Sequence, residues 1–285
     1  DLTPAAAHYN VDNLFDGFIP MAQGAMVTER LELIMMAVDP FRRAPTILAQ
    51  QILGIDHLSK GRASFFFGAG EAKQFTPYGL SRDKPFSHLE EMLKVVRMLI
   101  NSKGKPITYD GPIWKLDDAL LVCPPYNDTC PRLMVVGGPG KPIDFASRLG
   151  DGWGAYVPAC GSPAWYANCV KQLREKTIQN GRDPDTLKLS LVFVCLIEET
   201  EAAVERALHN PAIRWDVAAF VPSTETWKEA GFINPFGDDW SYSRDLIPTK
   251  WSREDALKII EKVPPEAVRA LRICGTPQQV VKQIQ

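Results

Sequence analysis

Six short apolar runs recur along the chain, and each passes into a stretch with helical spacing. LELIMMAV (31–38) precedes APTILAQQILGIDHLS, where Ile47, Leu48, Ile52, Leu53 and Ile55 suit one helix face. ASFFFGAG (63–70) leads towards SHLEEMLKVVRMLI, with Leu89, Met92, Leu93, Val96, Leu99 and Ile100 at the same spacing. RLMVVGG (132–138) leads to PIDFASRLG, in which Pro142 suits a first helical turn and Gly150 a C-terminal cap. GWGAYV (152–157) precedes SPAWYANCVKQLREKTIQNG, LKLSLVFVCLI (187–197) precedes TEAAVERAL, and RICGT (272–276) precedes a helix still running at Gln285. This alternation makes a parallel sheet covered by helices. It leaves two architectures open, a doubly wound sheet and a (β/α)8 barrel.

Between these units, residues 210–265 are rich in aromatics and proline and too long for a simple connection. A helical insertion covering a pocket is expected there. With 285 residues and 45% hydrophobic composition the chain can bury a large core. A net charge of −2 without a basic stripe gives no field for nucleic acid. The apolar runs are too short to span a bilayer and no signal peptide opens the sequence, so a cytoplasmic protein is expected. The six cysteines and four histidines show no metal-ligand spacing, and no metal is expected.

Two glycine motifs resemble nucleotide loops and fail on inspection. Gly68-Ala69-Gly70 begins a dinucleotide fingerprint, but its third glycine position is Lys73. GGPGKP (137–142) lacks the upstream glycine of a phosphate loop and has Pro142 where Ser or Thr would hold magnesium. What remains is a set of small-residue turns after buried strands, at Ala37-Val38, Gly68-Ala69-Gly70, Val136-Gly137-Gly138 and Gly152. In a barrel such turns share one rim, where ligands bind. Glu71 follows one of them directly. An acid beside apolar surface has its neutral form favoured, and such a group can protonate a reacting carbonyl.

LELIMMAVDPFRRAPTILAQQILGIDHLSKGRASFFFGAGE (31–71) and VVGGPGKPIDFASRLGDGW (135–153) resemble the two hallmark stretches of the bacterial luciferase-like superfamily. The resemblance implies a (β/α)8 TIM barrel. It makes 1–285 a single barrel domain, with the first strand and most of the second lying before Asp1 and the insertion at about 210–265. The GAGEA form resembles the branch that uses the deazaflavin coenzyme F420. The stretch from Gly237 onward is similar to mycobacterial phthiodiolone ketoreductases, which reduce a ketone on a long-chain lipid.

What the resemblance implies is a set of roles at matched positions. Ala37 and Val38 form a bulge, often with a non-prolyl cis peptide, behind the coenzyme ring. Gly68 and Ala69 pass beneath the ring, Val136, Gly137 and Gly138 line its edge, and Glu71 is the active-site carboxylate. The family's Asp-His pair falls on Asp1-Leu2, so the usual imidazole is replaced by Leu2, which suits an apolar substrate. The turn Gly161-Ser162 is the candidate site for the coenzyme's phosphate, with Lys250 and Arg253 as candidate helpers. Phe220, Trp227, Phe232, Phe236, Trp240 and Tyr242 are the candidate pocket walls. The expected function is F420-dependent reduction of a lipid ketone. An FMN-dependent monooxygenase and a non-catalytic lipid-binding barrel are the alternatives, and a homodimer is the assembly such barrels often form.

Overall fold

The computed structural model describes residues 16–157, 163–221 and 224–285. Helix α1 (Phe18–Val27) leads to β1 (Leu33–Val38), α2 (Pro45–Ser59), β2 (Ala63–Phe67) and α3 (Pro85–Ile100). An antiparallel hairpin of β3 (Ile107–Asp110) and β4 (Lys115–Ala119) follows, then β5 (Arg132–Val136), α4 (Lys141–Leu149), β6 (Gly152–Val157) and α5 (Pro163–Gln179). Strands β7 (Lys188–Phe193) and β8 (Cys195–Ile197) come next, with α6 (Glu201–Leu208) behind them. The chain then runs through α7 (Pro211–Phe220), α8 (Thr224–Glu229), α9 (Tyr242–Asp245), α10 (Arg253–Glu261) and α11 (Pro265–Leu271), and returns to β9 (Ile273–Gly275) and α12 (Pro277–Ile284).

Strands β1, β2, β5, β6 and β7 lie side by side in that order, every pair parallel. After Val194 the chain continues as β8, which pairs in parallel with β9. All six apolar runs of the sequence are therefore strands. Their spatial order follows the chain and never doubles back, whereas a doubly wound sheet reverses at a switch point. The arrangement is that of a (β/α) barrel, here an open arc among the described residues.

Alternation divides each strand between two faces. Phe65, Phe67, Leu133, Val135, Trp153 and Ala155 turn to the helices and bury themselves with Leu48, Ile52, Leu89, Met92 and Ile143. Phe18 of α1 stacks on Phe65 with ring centroids 6.0 Å apart. On the other face Met36, Phe66 and Met134 stand in register, while Ile34 and Met36 remain exposed. At the N-terminal ends of the strands Glu32 collects Ser64 Oγ at 3.0 Å, Arg132 at 3.3 Å and Lys188 Nζ at 2.5 Å. The Lys188 hydrogen bond is the main cause that lowers the Glu32 carboxyl below the usual range. Its stabilisation is present above that range and is lost as pH falls through the lowered value.

The Gly-Asp-Gly-Trp stretch at 150–153 ties β6 to its neighbours β5 and β7. Asp151 Oδ2 accepts from the Leu133 N–H at 2.8 Å and from Arg97 at 2.8 Å, and its carbonyl accepts from the Lys188 N–H at 2.9 Å. Gly152 packs so closely on β7 that a Cβ there would collide with the Lys188 carbonyl. Trp153, fully buried, donates from Nε1 to the Gly137 carbonyl at 2.9 Å.

Between α6 and β9 the chain forms helices α7 to α11. Their Trp215, Trp227, Leu246, Ile260, Val263 and Leu271 are buried in a second core shared with Val204 and Leu208 of α6 and Cys274 of β9. Asn210 caps α7 by accepting from the Ala212 N–H at 2.9 Å, and Ser252 caps α10 by accepting from the Asp255 N–H at 3.1 Å. The β3–β4 hairpin was not among the elements expected. Buried Glu91 of α3 holds it, accepting from the Ile113 and Trp114 N–H groups at 3.1 and 2.6 Å.

Replacing Asp151 by Ala removes two hydrogen bonds to a charged acceptor. The variant is expected to lose about 2–3 kcal/mol of stability in urea unfolding. A loss below about 0.5 kcal/mol, the scale of ordinary surface changes, contradicts this role.

Candidate active site

The site forms where the turns after β1, β2 and β5 converge. The β1–β2 register slips between Met36 and Val38, which makes a bulge at Ala37, and the Met36–Ala37 peptide is cis. The Gly68 N–H donates to the Val38 carbonyl at 3.0 Å, and the Gly137 N–H donates to the Gly154 carbonyl at 3.1 Å, so both turns continue the ladder above the strands. A Cβ on Gly68 would lie 3.1 Å from Val136 Cγ1 and 3.5 Å from the Ala37 Cβ. Ala37, Gly68 and Val136, expected together from the sequence, are thus neighbours. A Cβ on Gly138 would meet nothing within 4 Å.

Gly70 adopts φ +71°, a left-handed conformation that turns the chain sharply after β2. Glu71 emerges from this turn, and its N–H donates to Gln74 Oε1 at 3.0 Å. Its carboxylate is surrounded by donors. Lys73 Nζ lies 2.6 Å from Oε2, and the Tyr242 hydroxyl donates to Oε1 at 2.5 Å. The Lys73 side chain is only 8% exposed and Glu71 23%. The ammonium also lies 5.0 Å from the Phe220 ring centroid and 5.4 Å from that of Tyr242, in cation–π range. Arg82 completes the group, donating from Nε to the Gly70 carbonyl at 2.9 Å. Burial lowers its guanidinium pKa, while Glu71 and Tyr242 push it back up.

The sequence expects apolar surface beside Glu71; the groups on its carboxylate are an ammonium and a hydroxyl donor.

Of the six aromatics expected to wall the pocket, Phe220 and Tyr242 reach this cluster, with their rings 5.7 Å apart. The other four pack elsewhere. Trp227 is fully buried in the second core, Phe232 packs against that core, and Phe236 stacks on Trp240 at 4.0 Å between centroids. Packing of the insertion's helices accounts for them. Lys250 and Arg253 lie exposed on the surface. Leu2, Gly161 and Ser162 lie outside the described residues. Lys73 and Arg82 were missed as site residues. The sequence marks Lys73 only as the residue that breaks the dinucleotide fingerprint.

The family model described as luciferase-like monooxygenase matches residues 2–285. The chain belongs to that family. It is 30% identical over 255 residues to the phthiodiolone/phenolphthiodiolone dimycocerosates ketoreductase of Mycobacterium tuberculosis, a match covering 90% of this chain and 66%, just under two thirds, of that relative. It is 31% identical over 284 residues to the 5,10-methylenetetrahydromethanopterin reductase of Archaeoglobus fulgidus, covering 100% of this chain and 80% of the relative. Among solved structures it resembles an F420-dependent secondary alcohol dehydrogenase in complex with an F420-acetone adduct, with TM-score 0.72 and 22% identity over 95% of this chain and 74% of that one. The coenzyme F420-dependent tetrahydromethanopterin reductase of Methanopyrus kandleri gives TM-score 0.71 at 18% identity, over 96% of this chain and 78% of that one. These likenesses establish the luciferase-like TIM-barrel fold.

A double-mutant cycle of Glu71→Gln and Lys73→Gln in thermal or urea unfolding is expected to give a coupling of about 0.5–3 kcal/mol, the range for contacting residues. Additive effects mean that the pair does not form.

Proposed function

We propose that this chain is an oxidoreductase that uses coenzyme F420 to deliver a hydride to a ketone, with a long-chain lipid ketone as the substrate class. The observation that carries the reading is the juxtaposition of small-residue turns from three strands with the Glu71 cluster on the loop that leaves the second of them.

The residues present fit a flat tricyclic ring. Ala37, Gly68, Ala69 and Val136 put little side chain above the strand ends, and the space beside Gly138 is open. Gly137 and Gly138 offer backbone groups along the edge of that space. When bound, reduced F420 supplies the hydride. The chain's own residues support the ring from behind at the Ala37 bulge and manage a proton at the Glu71 carboxylate. Exposed Ile34 and Met36 on the concave face of the sheet and Phe220 beside the carboxylate suit an apolar substrate. The names of the relatives favour this reading. Two are F420-dependent enzymes by their descriptions, and one is by its name a ketoreductase of phthiodiolone dimycocerosates.

An FMN-dependent monooxygenase is the second reading, favoured by the family's own description. Titration with each coenzyme separates the two. Saturable quenching or enhancement of F420 fluorescence, with no saturation by FMN, is expected. The reverse result overturns the proposal.

Two variants test the placement. A Cβ at Gly138 would meet no protein atom within 4 Å, and Gly138→Val is expected to leave the melting temperature unchanged while weakening F420 binding about tenfold or more, equivalent to about 1.4 kcal/mol. Unchanged affinity removes Gly138 from the ring site. Glu71→Gln is expected to keep F420 affinity and reduce turnover about 100-fold, the lower range for loss of an acid–base group. Full turnover in this variant removes Glu71 from the chemistry.

A further inference from the structure

Most of the polar groups gathered at the turn after β2 have spent their donors on one another. The Tyr242 hydroxyl has a single proton, and it is donated to Glu71 Oε1 at 2.5 Å. Lys73 lies 2.6 Å from Glu71 Oε2 and faces the rings of Phe220 and Tyr242. Arg82 differs. A guanidinium carries a planar fork of N–H donors, and in Arg82 only the Nε–H is used, on the Gly70 carbonyl at 2.9 Å. Among the described residues its Nη groups have no hydrogen-bond partner, and they are not sealed from solvent.

The charges leave Arg82 as the surplus. Glu71 is balanced by Lys73, and buried Asp39, packed against Gly70, is balanced by Arg42 at 2.6 Å. Asp83 and Lys84, next in sequence, are exposed and opposite in sign. Arg82 itself is half-buried and close enough to Glu71 and Tyr242 to feel both. Its place is fixed from two sides. Nε holds the turn that carries Gly68 and Ala69, and the nearby Leu80 N–H donates to the carbonyl of fully buried Phe75 at 3.1 Å.

We propose that the Arg82 guanidinium holds the oxygen of the reacting carbonyl and carries the negative charge that grows on it. This rests on the carbonyl-reduction reading given above. A hydride supplied by the reduced deazaflavin, which is thereby oxidised, forms a C–H bond at the carbonyl carbon, and the π pair of C=O moves onto oxygen. Hydrogen bonds from the Arg82 Nη groups stabilise this alkoxide more than the neutral ketone, because they are charge-assisted and partly desolvated. A guanidinium keeps its own protons. The alkoxide therefore takes a proton from water at the Glu71 carboxylate as that O–H bond breaks, hydroxide passes to solvent, and the product is a secondary alcohol.

The first test uses the full chain and needs no turnover. Decanoate presents an anionic oxygen on an apolar chain, and decan-1-ol presents a neutral one. Calorimetry without coenzyme is expected to show that the unmodified chain binds decanoate and that Arg82→Gln binds it about tenfold or more weakly, the scale for losing a hydrogen bond to a charged group. Binding of decan-1-ol is expected to be the same in both. Arg82→Lys keeps the charge and is expected to retain most of the decanoate affinity. Absent decanoate binding by the unmodified chain, or equal affinity in Arg82→Gln, overturns the inference. Equal losses for decanoate and decan-1-ol also overturn it, since they mark Arg82 as only a prop for the Gly70 turn. With F420 and methyl undecyl ketone, Arg82→Gln is expected to lower kcat about 100-fold, the scale for removing one donor to a developing oxyanion, with F420 affinity unchanged. Full kcat in this variant overturns the catalytic role. If the unmodified chain binds F420 but does not oxidise its reduced form with the ketone, the carbonyl-reduction reading fails by itself, and the decanoate comparison still decides whether Arg82 holds an anionic oxygen.

Discussion

Parallel pairing in chain order is the constraint on which everything else depends. Strands β1, β2, β5 and β6 point the same way, so the turns that leave them gather on one edge, and residues far apart in sequence become neighbours there. Ala37, Gly68 and Val136 meet for this reason alone. The Asp151 carboxylate and the close approach at Gly152 hold the opposite ends of the strands, and the Trp153 indole carries that order up to the Gly137 carbonyl. A site built this way inherits its rigidity from the sheet instead of from the loops.

The second organising contact is the ion pair between Glu71 and Lys73. Tyr242 of the insertion donates to its carboxylate, and the rings of Phe220 and Tyr242 face its ammonium. A buried pair of this kind contributes little net stability, but breaking one side leaves an uncompensated charge. Its consequence is positional. Helix α9 packs against the turn at 72–74, and Tyr242 is held to one oxygen of Glu71. The insertion is thereby tied to the reactive edge at one point, while its remaining aromatics, such as Trp227 and Phe236, serve its own packing.

Much of the scaffold was legible in the sequence because its signals are local. Each of the six apolar runs lies next to its own helix, and proline or a capping side chain marks many of the helix starts. The β3–β4 hairpin was missed although Asp110-Gly111 stands between two alternating stretches, because its strands lie outside the repeating pattern. The site was legible in part. Glu71 stood out as an acid after a rim turn, and Gly68 and Val136 as small residues at strand ends. Lys73 did not, because a lysine two residues beyond an acid carries no periodic signal. The Tyr242–Glu71 contact spans 171 positions, and only the folded chain pairs such residues. The ammonium beside Glu71 was hidden for the same reason, since it belongs to a side chain whose direction the sequence does not give.

The most direct measurement is a crystal structure of the chain with F420 bound. The account predicts the deazaflavin ring lying over Gly68 and Ala69, its edge along Val136, Gly137 and Gly138, and the Glu71–Tyr242 pair on the face where a ketone would sit. A ring bound elsewhere, or one whose open face is turned away from Tyr242, contradicts it.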